Sequence, residues 1–151
     1  MRAADQFHAG IVVDDFDATL SGLTELFGYE WGEEIRATVP VQLPGGGITI
    51  DLGFVYSLTR PRLEIIRSIP GTLWTQSPGS SVHHLGYWSD DVEADSARLA
   101  EKGYANEAMG CDADGHPYWS YQRSGRGLRI ELVSRAIEAA FQNYWKTGRI
   151  G

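Results

Sequence analysis

The chain contains one pattern twice, and the second copy begins 76 positions after the first. A histidine opens each copy, at His8 and His84, and a Gly-Tyr pair closes each copy, at residues 28–29 and 103–104. The identities shared at this offset are carried in the first copy by His8, Gly10, Asp14, Asp15, Ala18, Leu23 and Glu25. Internal similarity at a fixed offset is typical of a fold built from two similar units. Because each unit would deliver one imidazole to the same place, His8 and His84 form a candidate metal site.

Length and charge exclude several classes of protein. The 151 residues are enough for one domain with a hydrophobic core. A net charge of −7 disfavours nucleic acids and anionic membranes as partners, because phosphate binding needs an excess of cations. The one cysteine excludes an internal disulfide framework, and no apolar run approaches the ~20 residues that span a bilayer. With no leader sequence visible at the N-terminus, we expect a cytoplasmic protein.

Hydrophobic periodicity predicts the order β-α-β-β-β in each half. In the first half, the predicted elements are a strand over 7–13, a helix over 16–27 and strands over 31–43, 48–54 and 62–67. In the second half, they are a strand over 82–89, a helix over 91–102 and strands over 104–111, 117–123 and 128–133. Asp14-Asp15 and Asp90-Asp91 precede the helices as capping residues, whereas Pro40 and Pro44 are expected to act as breakers.

We expect one domain over residues 1–151. Module one covers about 5–68, a connector about 69–81, module two about 82–134 and a C-terminal helix about 135–147. Phe141, Tyr144 and Trp145 would give that helix an apolar surface, which predicts a homodimer.

Side-chain alternation predicts where the two histidines point. In the first strand, Ile11 and Val13 share the face that the following helix should cover, so His8 lies on the opposite, concave face. Leu85 and Tyr87 occupy the helix side of the equivalent strand, so His84 lies on the concave face as well. Both candidate ligands therefore project away from the helices.

Glu64 and Glu131 are each flanked by two aliphatic residues in the last strand of their half. The aliphatic residues should face the helices, so the glutamates share the face of the histidines. A partly buried carboxylate needs a counter-charge, and a divalent cation between two imidazoles and two carboxylates would supply it. Zn²⁺, Ni²⁺, Co²⁺, Mn²⁺ and Fe²⁺ all suit these donors, and the spacing does not choose among them.

Four short motifs in order resemble the vicinal oxygen chelate superfamily. They are His-x-Gly-Ile-Val-Val-Asp-Asp from 8, Leu-Glu-Ile from 63, His-His-Leu-Gly-Tyr from 83 and Gly-Leu-Arg-Ile-Glu-Leu-Val from 127. The superfamily includes glyoxalase I, methylmalonyl-CoA epimerase, extradiol dioxygenases and bleomycin-resistance proteins, and this chain is most similar to the epimerase and glyoxalase-4-like group. The resemblance implies an α+β fold in which two βαβββ modules form one curved mixed sheet with a central cup, here followed by a C-terminal helix.

Carried over to this sequence, the resemblance implies that His8, Glu64, His84 and Glu131 bind one divalent metal ion. It selects His84 over His83, because the family places the ligand directly before the apolar strand. The implied activity is that of an isomerase, epimerase or lyase. Such an enzyme removes a proton next to a metal-bound carbonyl through an enolate-like intermediate. Glu131 or Glu64 would transfer the proton, and Asp51 is a second candidate base.

Residues that would contact a small-molecule substrate lie near the predicted ligands. Arg129 and Arg62 each precede a glutamate by two residues, and they would hold a carboxylate or phosphate or neutralise the acidic cup. Trp88, Tyr118 and Tyr121 are candidate substrate contacts. Their aromatic character leaves open a non-catalytic binding or resistance protein for an aromatic or antibiotic-like ligand. An extradiol-type dioxygenase is a third possibility, which the second glutamate disfavours.

Overall fold

A computed structural model describes residues 1–151. Its eight strands are β1 (Gln6–Val13), β2 (Ile35–Leu43), β3 (Gly46–Tyr56), β4 (Leu63–Arg67), β5 (His84–Ser89), β6 (Tyr104–Cys111), β7 (Pro117–Ser124) and β8 (Arg129–Ser134). Its helices are α1 (Phe16–Phe27), α2 (Val92–Glu101) and α3 (Glu138–Thr147), with short 3₁₀ turns at Ala3–Asp5 and Arg135–Ile137. The predicted β-α-β-β-β order is confirmed in both halves, and so is the α+β class.

The second aspartate of each pair caps the N-terminus of a helix, as predicted. Asp15 accepts a hydrogen bond from the backbone N–H of Ala18 at 3.1 Å, and Asp91 accepts one from Ala94 at 2.9 Å. These bonds satisfy donors that have no partner inside the helix. Gly28 ends α1 with φ at +73°, a left-handed conformation that only glycine adopts without strain.

Two local predictions were wrong. Pro40 does not interrupt its strand but lies exposed inside β2, where an extended backbone accommodates the fixed φ of proline. The helix predicted from residue 135 begins three residues later, because Arg135–Ile137 forms a 3₁₀ turn that Ser134 caps. Arg135 is held there by ion pairs to Asp5 and Asp90, so the chain turns before α3 starts.

The residues form two compact units, which we call the His8 unit and the His84 unit. The His8 unit comprises residues 8–37, 52–83 and 139–151. In it, β4 pairs in parallel with β1 and antiparallel with the end of β3. Its apolar core contains Val13, Phe16, Val55 and Ile65, with Ile11, Leu20, Leu23, Trp31 and Leu63 packed against them.

The His84 unit comprises residues 1–7, 38–51 and 84–138. Its strand order is β2-β6-β7-β8-β5, and only β8 and β5 are parallel. Its apolar core contains Val92, Ile130 and Leu132, with Leu85, Tyr87, Leu99 and Tyr104 packed against them. These units do not follow the predicted modules, since the end of the β2–β3 hairpin belongs to the His84 unit. The single domain and its boundaries stay a prediction.

The aromatic residues of α3 pack inside the His8 unit. Tyr144 is 3% exposed and Trp145 is 8% exposed, and both rings lie edge-on to Tyr56. The apolar surface from which a homodimer was predicted is therefore largely buried within one chain, and the homodimer stays a prediction. None of the three helices combines the length and apolar character required to cross a bilayer.

Candidate metal centre

His8 and Glu64 form a buried pair in the His8 unit. The parallel register of β1 and β4 sets Gly10 beside Glu64, so Glu64 neighbours the residue two positions beyond His8. The Nε2 atom of His8 lies 3.3 Å from Oε2 of Glu64, and both residues are buried. Because Leu63 and Ile65 belong to the core around α1, alternation directs Glu64 to the opposite face.

His84 and Glu131 form the equivalent pair in the His84 unit. The register of β5 and β8 sets Gly86 beside Glu131, as Gly10 stands beside Glu64. The Nε2 atom of His84 lies 3.3 Å from Oε2 of Glu131, and both residues are buried. Ile130 and Leu132 pack in the core around α2. The predicted alternation is thus confirmed in both halves, and the repeat places the same two side chains together twice.

A tyrosine accompanies each pair. Tyr56 stands opposite Glu64 in the β3–β4 register, and Tyr121 stands opposite Glu131 in the β7–β8 register. Each ring meets its histidine edge-on, with centroids 5.3 Å apart for His8 and 5.0 Å apart for His84. In both halves, a tyrosine ring therefore packs against the imidazole whose Nε2 lies near the carboxylate.

Sequence reasoning named Tyr121 only as a candidate substrate contact, which stays a prediction, and it missed Tyr56. The offset between the copies is 76 positions for the histidines, 67 for the glutamates and 65 for the tyrosines. A comparison at one fixed offset therefore aligns only the first strand and helix of each module. Counting back from each Leu-Glu-Ile or Ile-Glu-Leu motif to the preceding tyrosine would have found both residues.

The donors of each pair fit a divalent transition metal. Each pair offers one imidazole nitrogen and one carboxylate oxygen, and both side chains are removed from water. A buried carboxylate is costly unless a positive charge accompanies it. Imidazole and carboxylate together suit the metals from Mn²⁺ to Zn²⁺.

The side chain of His83 contacts the connector. Its Nε2 atom is 3.0 Å from the carbonyl oxygen of Leu73, within the connector, and its backbone N–H donates to Gly10. These contacts agree with the selection of His84 as the ligand candidate.

The two candidate anion-binding arginines have different surroundings. Arg129 donates from Nε and Nη2 to the two carboxylate oxygens of Glu107, at 2.6 and 3.2 Å. Arg62 instead donates from Nη1 to the carbonyl oxygens of Ser57 and Leu58, and its guanidinium lies 4.3 Å from the Trp145 ring. Burial lowers the pKa of Arg62, and the nearby charge of Arg60 lowers it further.

The remaining predicted site residues lie in the His84 unit. Trp88 is buried and stacks on Phe7 with centroids 3.9 Å apart, and the half-buried Tyr118 meets Trp119 edge-on. Asp51 is exposed and accepts a hydrogen bond from the Thr38 hydroxyl at 2.6 Å, across the β2–β3 hairpin. The roles of Asp51, Arg129, Trp88, Tyr118 and Tyr121 stay predictions.

A fold of two βαβββ modules, each with a buried His–Glu pair, defines a protein of the vicinal oxygen chelate class. The chain belongs to the glyoxalase/bleomycin resistance protein/dioxygenase superfamily, whose family model matches residues 7–118. The matched segment includes His8, Glu64 and His84 and ends before Glu131. No curated protein sequence matches the chain.

Solved structures share the fold at low sequence identity. A Streptomyces coelicolor methylmalonyl-CoA epimerase in complex with 2-nitronate-propionyl-CoA has a TM-score of 0.60 and 18% identity, over 87% of this chain and 97% of that chain. The epimerase of Mycobacterium tuberculosis has a TM-score of 0.58 and 16% identity, over 93% and 97%. A hypothetical protein from Bacillus halodurans has a TM-score of 0.55 and 17% identity, over 86% and 93%. Likeness at this identity shows that the chain shares the fold of these proteins.

Proposed function

We propose that this protein is a metal-dependent isomerase, epimerase or lyase that moves a proton at the carbon next to a substrate carbonyl. His8, Glu64, His84 and Glu131 would hold one divalent ion. The observation that carries the proposal is the duplicated pair: a buried histidine and glutamate with Nε2–Oε2 distances of 3.3 Å, at the same strand register, in both units.

Ligand number supports one shared ion. Metal sites of this kind use three or four protein ligands, so a single His–Glu pair offers too few to hold an ion by itself. The two pairs together offer two nitrogens and two oxygens, and membership of the superfamily favours a site to which both modules contribute. The alternative source of positive charge is a protonated histidine beside each glutamate. The metal-binding test separates this alternative from a bound ion.

The bound metal would polarise the substrate carbonyl and stabilise the negative charge that develops when the neighbouring carbon loses its proton. The protein must then supply a base within about 3 Å of that proton. Both glutamates are buried, and Glu131 is the first candidate because Tyr56, beside Glu64, is packed against the aromatic rings of α3. Tyr56 and Tyr121 would keep the imidazoles oriented.

The first test is metal binding by the full chain. Purified protein dialysed against Zn²⁺, Co²⁺, Ni²⁺, Mn²⁺ or anaerobic Fe²⁺ should retain about one ion per chain by elemental analysis, and its unfolding temperature should rise on metal addition. His84→Ala should abolish both effects. Asp112→Ala is the matched control, because Asp112, Asp114 and His116 form an exposed group of metal-ligand type on a surface turn.

The second test is proton exchange. Methylmalonyl-CoA, the substrate named for the structurally similar epimerases, is the first compound to try, followed by hemithioacetals. Metal-dependent uptake of deuterium from D₂O at the carbon next to the carbonyl would support the proposal. Absence of metal binding would overturn it in favour of a non-catalytic binding protein, and Fe²⁺-dependent cleavage of a catechol would favour a dioxygenase.

A further inference from the structure

Two arginines of this protein bind carboxylates in the same way. Arg67 donates from Nε and Nη2 to Glu34 at 2.7 and 3.2 Å, and Arg129 donates from the same two nitrogens to Glu107 at 2.6 and 3.2 Å. The edge of the guanidinium that carries Nε and Nη2 matches the spacing of two oxygens on one anion. This edge is the part of an arginine that recognises a carboxylate or a phosphate.

Arg62 has no such acidic partner. Its two side-chain hydrogen bonds both leave from Nη1, to the carbonyl oxygens of Ser57 and Leu58 at 2.9 and 2.8 Å. Its Nε atom is buried and makes no hydrogen bond, and no carboxylate lies within ion-pair distance. A partly buried cation without an anion is costly, so a ligand that brings an anion would be stabilised there.

Arg62 lies beside the His8–Glu64 pair. Its backbone carbonyl accepts a hydrogen bond from Ala9, so the extended pairing of β4 with β1 continues through this residue. Two residues along a strand share a face and lie about 6.6 Å apart, which sets Arg62 on the face of Glu64. Trp145, under the guanidinium, packs against Tyr56, and Tyr56 packs against His8.

We propose that Arg62 binds an oxyanion, the carboxylate or phosphate group of a small-molecule ligand, through its guanidinium group. The identity of this ligand as the substrate rests on the proposed function. The reacting carbonyl of that substrate would then lie a few bonds from an anionic group. Trp145 would form the apolar floor beneath the anion, and Nη1 would stay anchored to the Ser57–Leu58 backbone.

A titration with simple anions tests this proposal without metal or turnover. Metal-free full-length protein, treated with EDTA and dialysed, is titrated with sodium malonate and separately with inorganic phosphate, and the Nε–H signals of arginine are followed by ¹⁵N NMR. The Arg62 signal, assigned by its loss in Arg62→Met, should shift and saturate with at least one anion. Comparison of the two titrations shows whether the site prefers a carboxylate or a phosphate.

Substitutions separate binding from a structural role in the 57–62 turn. Arg62→Met should weaken binding of the preferred anion on the order of tenfold or more, because it removes the charged hydrogen-bond donor. Arg62→Lys keeps the charge but not the planar edge, and its affinity should fall between those of the wild type and Arg62→Met. Arg60→Met is the matched control: it removes an exposed charge two residues away and should change the dissociation constant less than about twofold.

The proposal is overturned if neither anion shifts any arginine Nε–H signal of the wild-type protein, a result that needs neither an assignment nor a folded variant. It is also overturned if folded Arg62→Met binds as tightly as wild type. Metal stoichiometry, measured separately, reports on the proposed function alone. A protein that binds metal and no anion would refute only the role of Arg62, and the reverse result would refute only the metal site.

Discussion

The two His–Glu pairs have the same internal geometry and different surroundings. In the His8 unit, Tyr56 is in contact with Phe141, Tyr144 and Trp145 of α3, and Arg62 lies over Trp145. In the His84 unit, the equivalent Tyr121 meets Trp119 of its own strand. The same strand register makes the two pairs alike, whereas the residues around them differ.

This difference suggests that the two pairs have different roles in the proposed function. The His8 pair is covered by aromatic rings and accompanied by a cation with no acidic partner, which suits it to hold and orient a ligand. In the proposed function, Glu131 of the His84 pair is the candidate base that exchanges a proton with substrate. The following predictions test whether the units differ in this way.

The largest expected effect is on catalysis. With metal in excess, Glu131→Ala should lower kcat on the order of 10²- to 10⁴-fold, because a positioned base contributes about that much. Glu64→Ala should weaken metal binding, but the variant should recover most of its activity once the metal concentration is saturating. Circular dichroism and steady-state kinetics at several metal concentrations measure both effects. Full activity in Glu131→Ala, or the reverse ranking of the two variants, would contradict the assignment.

The next effect concerns how α3 packs in the His8 unit. A Cβ atom at Gly32 would overlap the phenol ring of Tyr144, so Gly32→Ala should destabilise the protein by about 1–3 kcal/mol in urea unfolding. Gly22→Ala is the matched control, since Gly22 lies in α1 with nothing within 4 Å of the added Cβ. Gly22→Ala should stabilise the protein by about 0.5–1 kcal/mol, because alanine loses less conformational freedom than glycine in a helix. Equal stability of the two variants would show that Tyr144 moves aside without cost.

The smallest effect is on the alkaline stability of the His8 unit. Burial raises the pKa of Tyr144 to about 12, and its hydroxyl donates to the carbonyl of Glu33 at 2.7 Å. A tyrosine that stays protonated in the folded state stabilises it below pH 10, and this contribution is lost as pH rises from about 10 to 12. Tyr144→Phe should cost about 1 kcal/mol at neutral pH. Urea unfolding of both proteins from pH 8 to 12 should show that the difference in their free energies of unfolding becomes smaller. A difference that stays constant would contradict the raised pKa of Tyr144.

The ligand candidates could be predicted because alternation along a strand is a local property. Ile11 and Val13 in the first half, and Ile130 and Leu132 in the second, identify the helix side of their strands from sequence alone. The faces of His8, Glu64, His84 and Glu131 then follow from parity. The capping aspartates were predictable for the same reason, since a cap acts within three residues of its own helix.

The partners of the arginines and tyrosines could not be predicted in this way. Arg129 and Arg62 have the same spacing from a glutamate, yet Glu107 on β6 binds the first and Trp145 on α3 packs against the second. These contacts join residues distant in sequence. Tyr56 was missed because the modules differ in loop length, so its offset from Tyr121 is not that of the histidines.

The amino-acid sequence by itself determined the two modules, the order of their elements and the face on which each histidine and glutamate lies, because these depend on periodicities of two and 3.6 residues. Only the tertiary structure decided which arginine lacks an acidic partner, which tyrosine meets each histidine and where α3 packs. Those outcomes depend on which distant strands and helices lie side by side, and no local pattern encodes that choice.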